Sequence, residues 1–275
     1  MRYVILRRRK LGRTSTKSIS RKSECGILSR RNDGPQKKHI DVLFRWGCTS
    51  ERDGDVTVNT AKAIQQVNDK AGFRKLLEEH NLCARGVKHP VDMVGPVVIR
   101  PRTHSRGRNL WVATTAVEFW EAVKKAGEGC YASCLINKVA EYRVFVVQGR
   151  VVCVAKKTPG NPDQVAWNVA QGGRFDNVGW KDWPLKAVKV SVEAFNLTSL
   201  DFGGVDVMVD ADGNAYVIEI NSAPSLTSDY RQTCFAKAFD YIIRNGKARI
   251  PLIEEKGGYL KFIHPAISED AKIGA

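Results

Sequence analysis

Alternation of apolar and polar residues predicts a β-hairpin in the last third of the chain. Valine recurs at every second position from 205 to 209, with Asp206 on the other face. Asp212-Gly213 is a strong turn signal, and Glu219 and Asn221 share one face of the following strand. If the strands pair around this turn, Asp206, Glu219 and Asn221 converge.

The same periodicities place the remaining elements. Segments with apolar residues at helical spacing are separated by short runs that are either wholly apolar or apolar at every second position. The first pattern predicts helices and the second predicts strands, so the chain is a mixture of both. A second clear hairpin turns at Gln148-Gly149 and carries Glu141 and Arg143 on one face. The predicted helices cover 59–80, 115–126, 185–195 and 229–243, and the predicted strands cover 3–6, 25–28, 40–44, 97–101, 110–113, 131–137, 140–147 and 150–156.

Two carboxylates and an amide at one point favour a site for a hard cation. Magnesium prefers oxygen ligands, whereas zinc sites use mostly nitrogen and sulfur. The alternative for each residue taken alone is ordinary: a strand start at Asp206, a solvated Glu219 and a turn at Asn221. Acids amid Val, Ile and Gly are rare unless paired or metal-bound, which favours a magnesium site.

Length and composition indicate a soluble globular protein. The chain has 275 residues, 43% of them hydrophobic, and no apolar run of the ~20 residues that a membrane span needs. The short apolar run 3–6 precedes its basic residues, the reverse of a signal peptide, so a cytoplasmic protein without membrane association is expected. The seven cysteines are scattered and predict neither a disulfide framework nor a paired zinc motif.

Positive charge is concentrated near the N-terminus. The net charge is +15, and residues 1–38 hold 13 Lys/Arg against Glu24 and Asp33. This segment predicts an anionic partner, which is an acidic protein, a nucleic acid or a phosphorylated ligand, and the alternative is a solvated basic face or a partly disordered arm. Residues 12–18 are not a phosphate-binding P-loop, because they lack the glycine before Lys-Ser and are one residue too short.

Several of these features occur together in one known superfamily. The hairpin that starts Glu141-Tyr142-Arg143, then Asn168, Gly204-Val205-Asp206 and Glu219-x-Asn221-x-x-Pro224 resemble the ATP-grasp superfamily in order and spacing. The sequence is most similar to the carboxylate–amine ligase branch that includes the ribosomal-protein-modifying glutamate ligases. The resemblance covers about residues 59–243 and implies an α+β ATP-grasp fold, two α+β subdomains gripping ATP, with a short N-terminal α/β unit.

The resemblance also implies roles for individual residues. Asp206, Glu219 and Asn221 would bind Mg²⁺, with two ions expected and Mn²⁺ as a substitute. Arg100 stands where the family usually has a lysine, and residues 103–109 match the loop that closes on the phosphates. The implied catalytic residues are Arg143, Arg174 and Lys156, and the implied ATP-binding residues are Lys70, Arg100, Ser105, Gly107, Leu135, Ile136, Asn137, Glu141, Lys156 and Asn168.

The implied activity is ATP-dependent amide formation through an acyl phosphate. Such a reaction would join an amino acid to a protein or to another macromolecule. The carboxylate and amine substrates are not encoded in any motif. Two alternatives remain open: a nucleic-acid-binding protein on an ATP-grasp scaffold, and an ATP-grasp kinase that forms no amide. Four segments are expected: a basic unit (1–58), linking helices and lid subdomain (59–137), the central subdomain with the metal site (138–245) and a C-terminal tail (246–275).

Overall fold

The computed structural model describes most of the chain. It covers residues 1–8, 12–33, 38–102, 109–161, 164–167, 172–247, 254–256 and 259–261, the last two ranges for their backbone only.

A parallel sheet forms the N-terminal unit. Its strand order is β2-β1-β3-β4, and α1 follows β1 as a serine- and lysine-rich helix. The second strand begins at Leu28, three residues later than the apolar run 25–28 predicts. The elements are β1 (Tyr3–Arg7), α1 (Arg13–Lys22), β2 (Leu28–Arg31), β3 (Val42–Trp46) and β4 (Val56–Val58).

The helical segment 59–80 is two helices. Helix α2 (Ala61–Asn68) is capped by Thr60, and α3 (Lys70–Glu79) begins after Asp69, whose carboxylate accepts from the amide of Gly72. Apolar residues of both helices pack against the valines of the hairpin that carries Asp206. This packing places Lys70, at the start of α3, beside that hairpin.

A small antiparallel sheet covered by one helix forms the lid subdomain. The strand order is β5-β8-β6-β7, and α4 buries Phe119 and Ala122 against it. The helix begins with a capping box formed by Thr115 and Glu118. The elements are β5 (Gly86–Val87), β6 (Val97–Arg100), β7 (Trp111–Ala113), α4 (Ala116–Ala126) and β8 (Tyr131–Cys134).

A five-stranded antiparallel sheet, in the order β11-β10-β9-β12-β13, forms the central subdomain. Helix α5 covers one face, and the other face packs partly against α6. The predicted hairpins at 140–156 and 202–221 are its core. The elements are β9 (Lys138–Val147), β10 (Arg150–Thr158), β11 (Arg174–Val178), α5 (Leu185–Asn196), β12 (Phe202–Asp210), β13 (Ala215–Asn221) and α6 (Asp229–Asn245).

Helix α6 joins the N-terminal unit to the central sheet through one aromatic core. Phe239 stacks on Phe44 at 4.1 Å between ring centroids, and Trp46 stacks on Phe202 at 5.3 Å. Phe235 contacts Trp46, Phe145 and Phe202 at their edges. A short hairpin, β14 (Glu254–Lys256) and β15 (Tyr259–Lys261), follows in the segment that sequence reasoning leaves irregular.

Two β-bulges set which residues face the site. The register between β9 and β10 shifts between Val151 and Cys153, and that between β12 and β13 shifts beside Asp206. A bulge inserts one residue and thereby reverses the faces of everything beyond it. Asp206 therefore pairs with Glu219, where a regular hairpin would pair it with Ile218.

Candidate active site

A row of charged residues crosses three neighbouring strands of the central sheet. Arg143 on β9 lies directly opposite Asp206 on β12, which lies directly opposite Glu219 on β13. Arg143 holds both carboxylate oxygens of Asp206, with Nε–Oδ1 at 2.5 Å and Nη2–Oδ2 at 2.7 Å. Directly opposed residues of a sheet share one face, so the bulged register itself brings these side chains together.

Lysines complete the row at both ends. Lys70 Nζ lies 2.6 Å from Glu219 Oε2, and Asn221 Nδ2 donates to Glu219 Oε1 at 3.1 Å. At the other end Lys157 binds Glu141 and lies 3.8 Å from Asp206 Oδ2. Glu141 also accepts from Lys138 at 2.5 Å and is only 3% exposed.

Burial and neighbouring cations act in opposite directions on the acids. Burial favours the neutral form of Asp206, but Arg143 and Lys157 outweigh it and hold the Asp206 pKa below its ordinary value. The pKa of Glu219 is also lowered: burial opposes the shift, and Lys70 is the largest favourable contribution. Both carboxylates are therefore ionised at neutral pH.

The lid subdomain contributes a further cation. Arg100 at the end of β6 donates to Ser133 Oγ at 3.4 Å, and Glu219 is among the charges that act on it. Burial lowers the Arg100 pKa, and in the same surroundings burial raises the pKa of Tyr131.

The buried and half-buried ionic residues around the row Arg143–Asp206–Glu219 form a group that we call the charged cluster. It contains more cations than acids and so has a formal excess of three positive charges. The cations are Lys70, Arg100, Lys138, Arg143, Lys157 and Arg231, and the acids are Glu141, Asp206 and Glu219. Such an excess favours an anionic ligand.

A comparison with known protein families identifies the family of this chain. Residues 56–239, about two-thirds of the chain, match the model described as "ATP-grasp domain, R2K clade family 3". The chain belongs to this ATP-grasp family. The predicted superfamily and the predicted α+β ATP-grasp fold are confirmed. ATP-grasp ligases use ATP and Mg²⁺.

Solved ATP-grasp structures share the fold at low sequence identity. The ligase PsnB complexed with a minimal precursor has a TM-score of 0.62 and 12% identity over 89% of this chain and 100% of that chain. D-alanine–D-alanine ligase from Bacillus anthracis complexed with ATP has a TM-score of 0.62 and 14% identity, covering 88% and 96%. The macrocyclase MdnC from Microcystis aeruginosa MRC, bound with precursor peptide MdnA, has a TM-score of 0.59 and 14% identity, covering 90% and 100%. A search of curated proteins gave no significant sequence match.

The residues expected to bind metal are together and fit magnesium chemically. Asp206, Glu219 and Asn221 offer two ionised carboxylates and an amide oxygen on adjoining strands. Because Asn221 turns its amide nitrogen toward Glu219, its oxygen is free of that contact. Hard oxygen donors of this kind suit an ATP-grasp magnesium site.

Two residues predicted to be catalytic lie away from the charged cluster. Lys156 is exposed, and the Arg174 side chain is 73% exposed and pairs with Asp176 at 3.1 Å. In β10 and β11 both project from the face opposite Lys157 and Phe175. A regular hairpin would set Lys156 opposite Glu141, but the bulge before Cys153 sets Lys157 there instead.

Other ATP-binding expectations have mixed outcomes. Lys70 and Arg100 lie at the charged cluster, and Glu141 lies there too, enclosed by Lys138 and Lys157. The amide of Leu135 donates to the Pro96 carbonyl at 2.9 Å and is therefore already paired, and the roles of Ile136 and Asn137 stay predictions. Ser105, Gly107 and Asn168 lie outside the described residues, as does most of the loop 103–109.

Besides Arg231, sequence reasoning missed three residues that lie in the charged cluster or contact it. Lys157 lies inside the charged cluster, Lys138 lies 4.6 Å from the ring centroid of Trp167, and Phe175 lies beneath Arg143 at 4.7 Å. Lys157 faces the charged cluster because of the bulge in β10, and no turn signal in the sequence marks that bulge. In the described part of the chain no helix is both long and apolar enough to span a membrane.

Proposed function

We propose that this protein is an ATP-dependent carboxylate–amine ligase that forms an amide through an acyl phosphate. The observation that carries the proposal is the row Arg143–Asp206–Glu219, flanked by Lys70 and Lys157 in a charged cluster with excess positive charge. This arrangement suits a triphosphate together with magnesium. The chain's membership of the ATP-grasp family supports the same reading.

Lys70 and Arg100 would hold the phosphates from the lid side. Lys70 now pairs with Glu219, and its flexible stem allows it to exchange that carboxylate for a phosphate oxygen. Arg100 has the planar fork that grips a phosphate through two donors, which compensates for the missing family lysine. Ile136 and Asn137 would bind the base through their amides.

Asp206, Glu219 and Asn221 would hold the magnesium, and we propose two ions. Bound magnesium would screen the charge of the phosphates. Arg143 and Lys157 keep Asp206 ionised at neutral pH, so that it is ready to act as a ligand.

The proposed reaction has two steps. A carboxylate oxygen of the substrate attacks the γ-phosphorus of ATP, so that a new P–O bond forms, the bond to the bridging oxygen breaks, and ADP leaves. An amine nitrogen then attacks the acyl carbon, phosphate leaves with the C–O bond electrons, and the nitrogen loses a proton. Arg143 and Lys157 would position the two anions of the first step and reduce their repulsion.

Trapping with hydroxylamine tests this function without knowledge of the natural amine. The protein is incubated with Mg·ATP, pooled carboxylic acids and acidic peptides, and hydroxylamine, and both ADP and hydroxamates are measured. A ligase releases ADP and forms a hydroxamate in equal amounts. Carboxylate-dependent ADP release without hydroxamate would contradict an acyl phosphate, and ADP release with alcohols instead would indicate a kinase.

The third possibility, a nucleic-acid-binding protein, predicts a different result. Such a protein would bind oligonucleotides with steep salt dependence and without turnover of ATP. The retained acids of the charged cluster favour the ligase.

We further propose that helix α1 recruits the acidic part of a protein substrate. Arg13, Lys17 and Arg21 are four residues apart, so they lie on one face of the helix, and all three are exposed. A cationic stripe of this kind increases encounter rates with an acidic chain.

Reversing the charge of the α1 stripe tests recruitment. Arg13→Glu, Lys17→Glu and Arg21→Glu together should raise the KM for an acidic peptide substrate and leave the KM for ATP unchanged. A matched control reverses Lys62, Lys124 and Lys125, which are on other helices. Equal effects of the two triple variants, or preferential binding of an oligonucleotide to the α1 stripe, would contradict this role.

A further inference from the structure

Arg231 in the first turn of α6 is a buried cation with unused hydrogen-bond donors. The residue is 1% exposed. Its Nη2 donates to Thr227 Oγ1 at 2.8 Å and to the Phe175 carbonyl at 3.4 Å. Nε and Nη1 are buried and have no partner among the described residues. A guanidinium in this state carries a desolvation cost that its contacts only partly offset.

The charges that surround Arg231 do not neutralise it. Asp176 is the acid that acts on it, but that carboxylate is held by Arg174 and by Thr158 at 2.9 Å. Cys153 is the other acidic group, and burial, followed by its contact with Cys234, raises the thiol pKa well above its ordinary value. Arg143 adds a like charge, so the pKa of Arg231 is lowered, chiefly by burial.

Arg231 is also one of three cations around a single aromatic ring. The ring centroid of Phe175 lies 4.7 Å from the Arg143 guanidinium, 5.4 Å from Lys157 Nζ and 5.9 Å from the Arg231 guanidinium. Asp206 neutralises Arg143, and Glu141 neutralises Lys157. Arg231 therefore carries one positive charge that no acid in the described part of the chain compensates, and it lies close to the row Arg143–Asp206–Glu219.

The protein surface lies close to this buried guanidinium. Thr227, to which Arg231 is hydrogen-bonded, is exposed, and Phe175 is only partly buried. The N-terminus of the 17-residue helix α6 lies at the same place and adds partial positive charge. An anion bound beside Thr227 would supply the missing partner.

We propose that Arg231 and Thr227 form the subsite for the substrate carboxylate that is phosphorylated. This inference rests on the ligase function proposed above and names the residue that binds its acyl donor. Arg231 and Arg143, which both lie near the Phe175 ring, would bring the carboxylate and the γ-phosphate, two anions that repel each other, into reach.

Thermal unfolding with acetate as the probe tests the subsite directly. Sodium acetate is compared with sodium chloride at equal ionic strength, because a ligand that binds only the folded state raises the Tm. In wild type, acetate in about tenfold excess over its Kd should raise the Tm by about 3 °C, and in Arg231→Met this rise should disappear. Arg244→Met is the matched control, since it removes one arginine from the same helix and should retain the rise.

The remaining outcomes separate this inference from the proposed function. An equal acetate effect in wild type and Arg231→Met, or none in wild type, overturns the subsite. If Arg231→Met does not fold, Arg231→Gln is measured in the same way. An acetate effect that depends on Arg231 without any hydroxamate from wild type contradicts the ligase and leaves the anion subsite. Hydroxamate formation with an unchanged carboxylate KM in Arg231→Met contradicts the subsite alone.

Discussion

At the scale of single residues, the charged cluster is governed by charge compensation. Lys157 and Lys156 are adjacent in sequence and chemically identical, yet one is 5% exposed beside Asp206 and the other faces solvent. Replacement of Lys157 by methionine should lower the ATP-dependent ligase rate by at least about a hundredfold, because a charge near the reacting anions is lost. Lys156→Met is the matched control and should stay within a factor of two. Equal losses in the two variants would contradict the bulged register.

Glu141 is expected to matter for stability because two buried lysines depend on it. Glu141→Gln leaves Lys138 without its acid and Lys157 with only Asp206, at 3.8 Å, and should lower the free energy of unfolding by about 3–5 kcal/mol, measured in urea. Glu193→Gln removes an acid from the exposed pair with Lys189 and should change it by less than about 0.5 kcal/mol. A loss at Glu141 as small as that at Glu193 would show that the lysines find other partners.

The residue scale is also where sequence reasoning succeeded and failed. Asp206, Glu219 and Asn221 were predicted to converge, and they do. The turn at Asp212-Gly213 pairs the two strands as predicted, but it is the bulge beside Asp206, which carries no sequence signature, that sets Asp206 opposite Glu219. Lys157 was not predicted, because one inserted residue in β10 reverses the face and carries no sequence signature. Arg231 was not predicted either, since a lone arginine in a helix gives no sign of burial.

At the scale of elements, the site depends on close approach between β12 and the segment after β13. A Cβ at Gly204 would lie 2.9 Å from Pro224 Cβ and 3.2 Å from Arg143 Cδ. Gly204→Ala should therefore displace Arg143, cost about 1–3 kcal/mol of stability and weaken Mg·ADP binding. Gly95→Ala has open space and should be neutral or slightly stabilising. Wild-type stability and affinity in Gly204→Ala, by urea unfolding and calorimetry, would contradict this packing.

Elements themselves were the most predictable level. Strong periodicity and clear turn residues located the two central hairpins, and the helix predicted from Thr115 begins there. The single helix predicted over 59–80 is divided at Asp69. The packing between elements was harder to predict from the sequence. It depends on contacts between residues distant in sequence, such as those of α2 and α3 with the central sheet and the stacking of Phe44 on Phe239. The four predicted segment boundaries remain predictions.

At the scale of the whole molecule, the acids of the charged cluster link stability to pH. The folded-state pKa values of Asp206 and Glu219 are lowered, so their contribution is present above their unfolded values of about 3.9 and 4.3 and is lost as pH falls below these. The free energy of unfolding should therefore fall on acidification below about pH 4.5. Asp206→Asn should reduce that slope by up to about 1.4 kcal/mol per pH unit, measured by urea unfolding. An unchanged slope would show that Asp206 is not held ionised by Arg143 and Lys157.

The central claim for the whole molecule is that the charged cluster binds a magnesium nucleotide between the lid and central subdomains. Calorimetric titration of ADP, with magnesium and then with a chelator, tests it most directly. Wild type should bind ADP with magnesium at least about tenfold more tightly than without it, and Glu219→Gln should lose that difference while Glu193→Gln retains it. Magnesium-independent binding in wild type, or the same magnesium effect in Glu219→Gln, would contradict the claim.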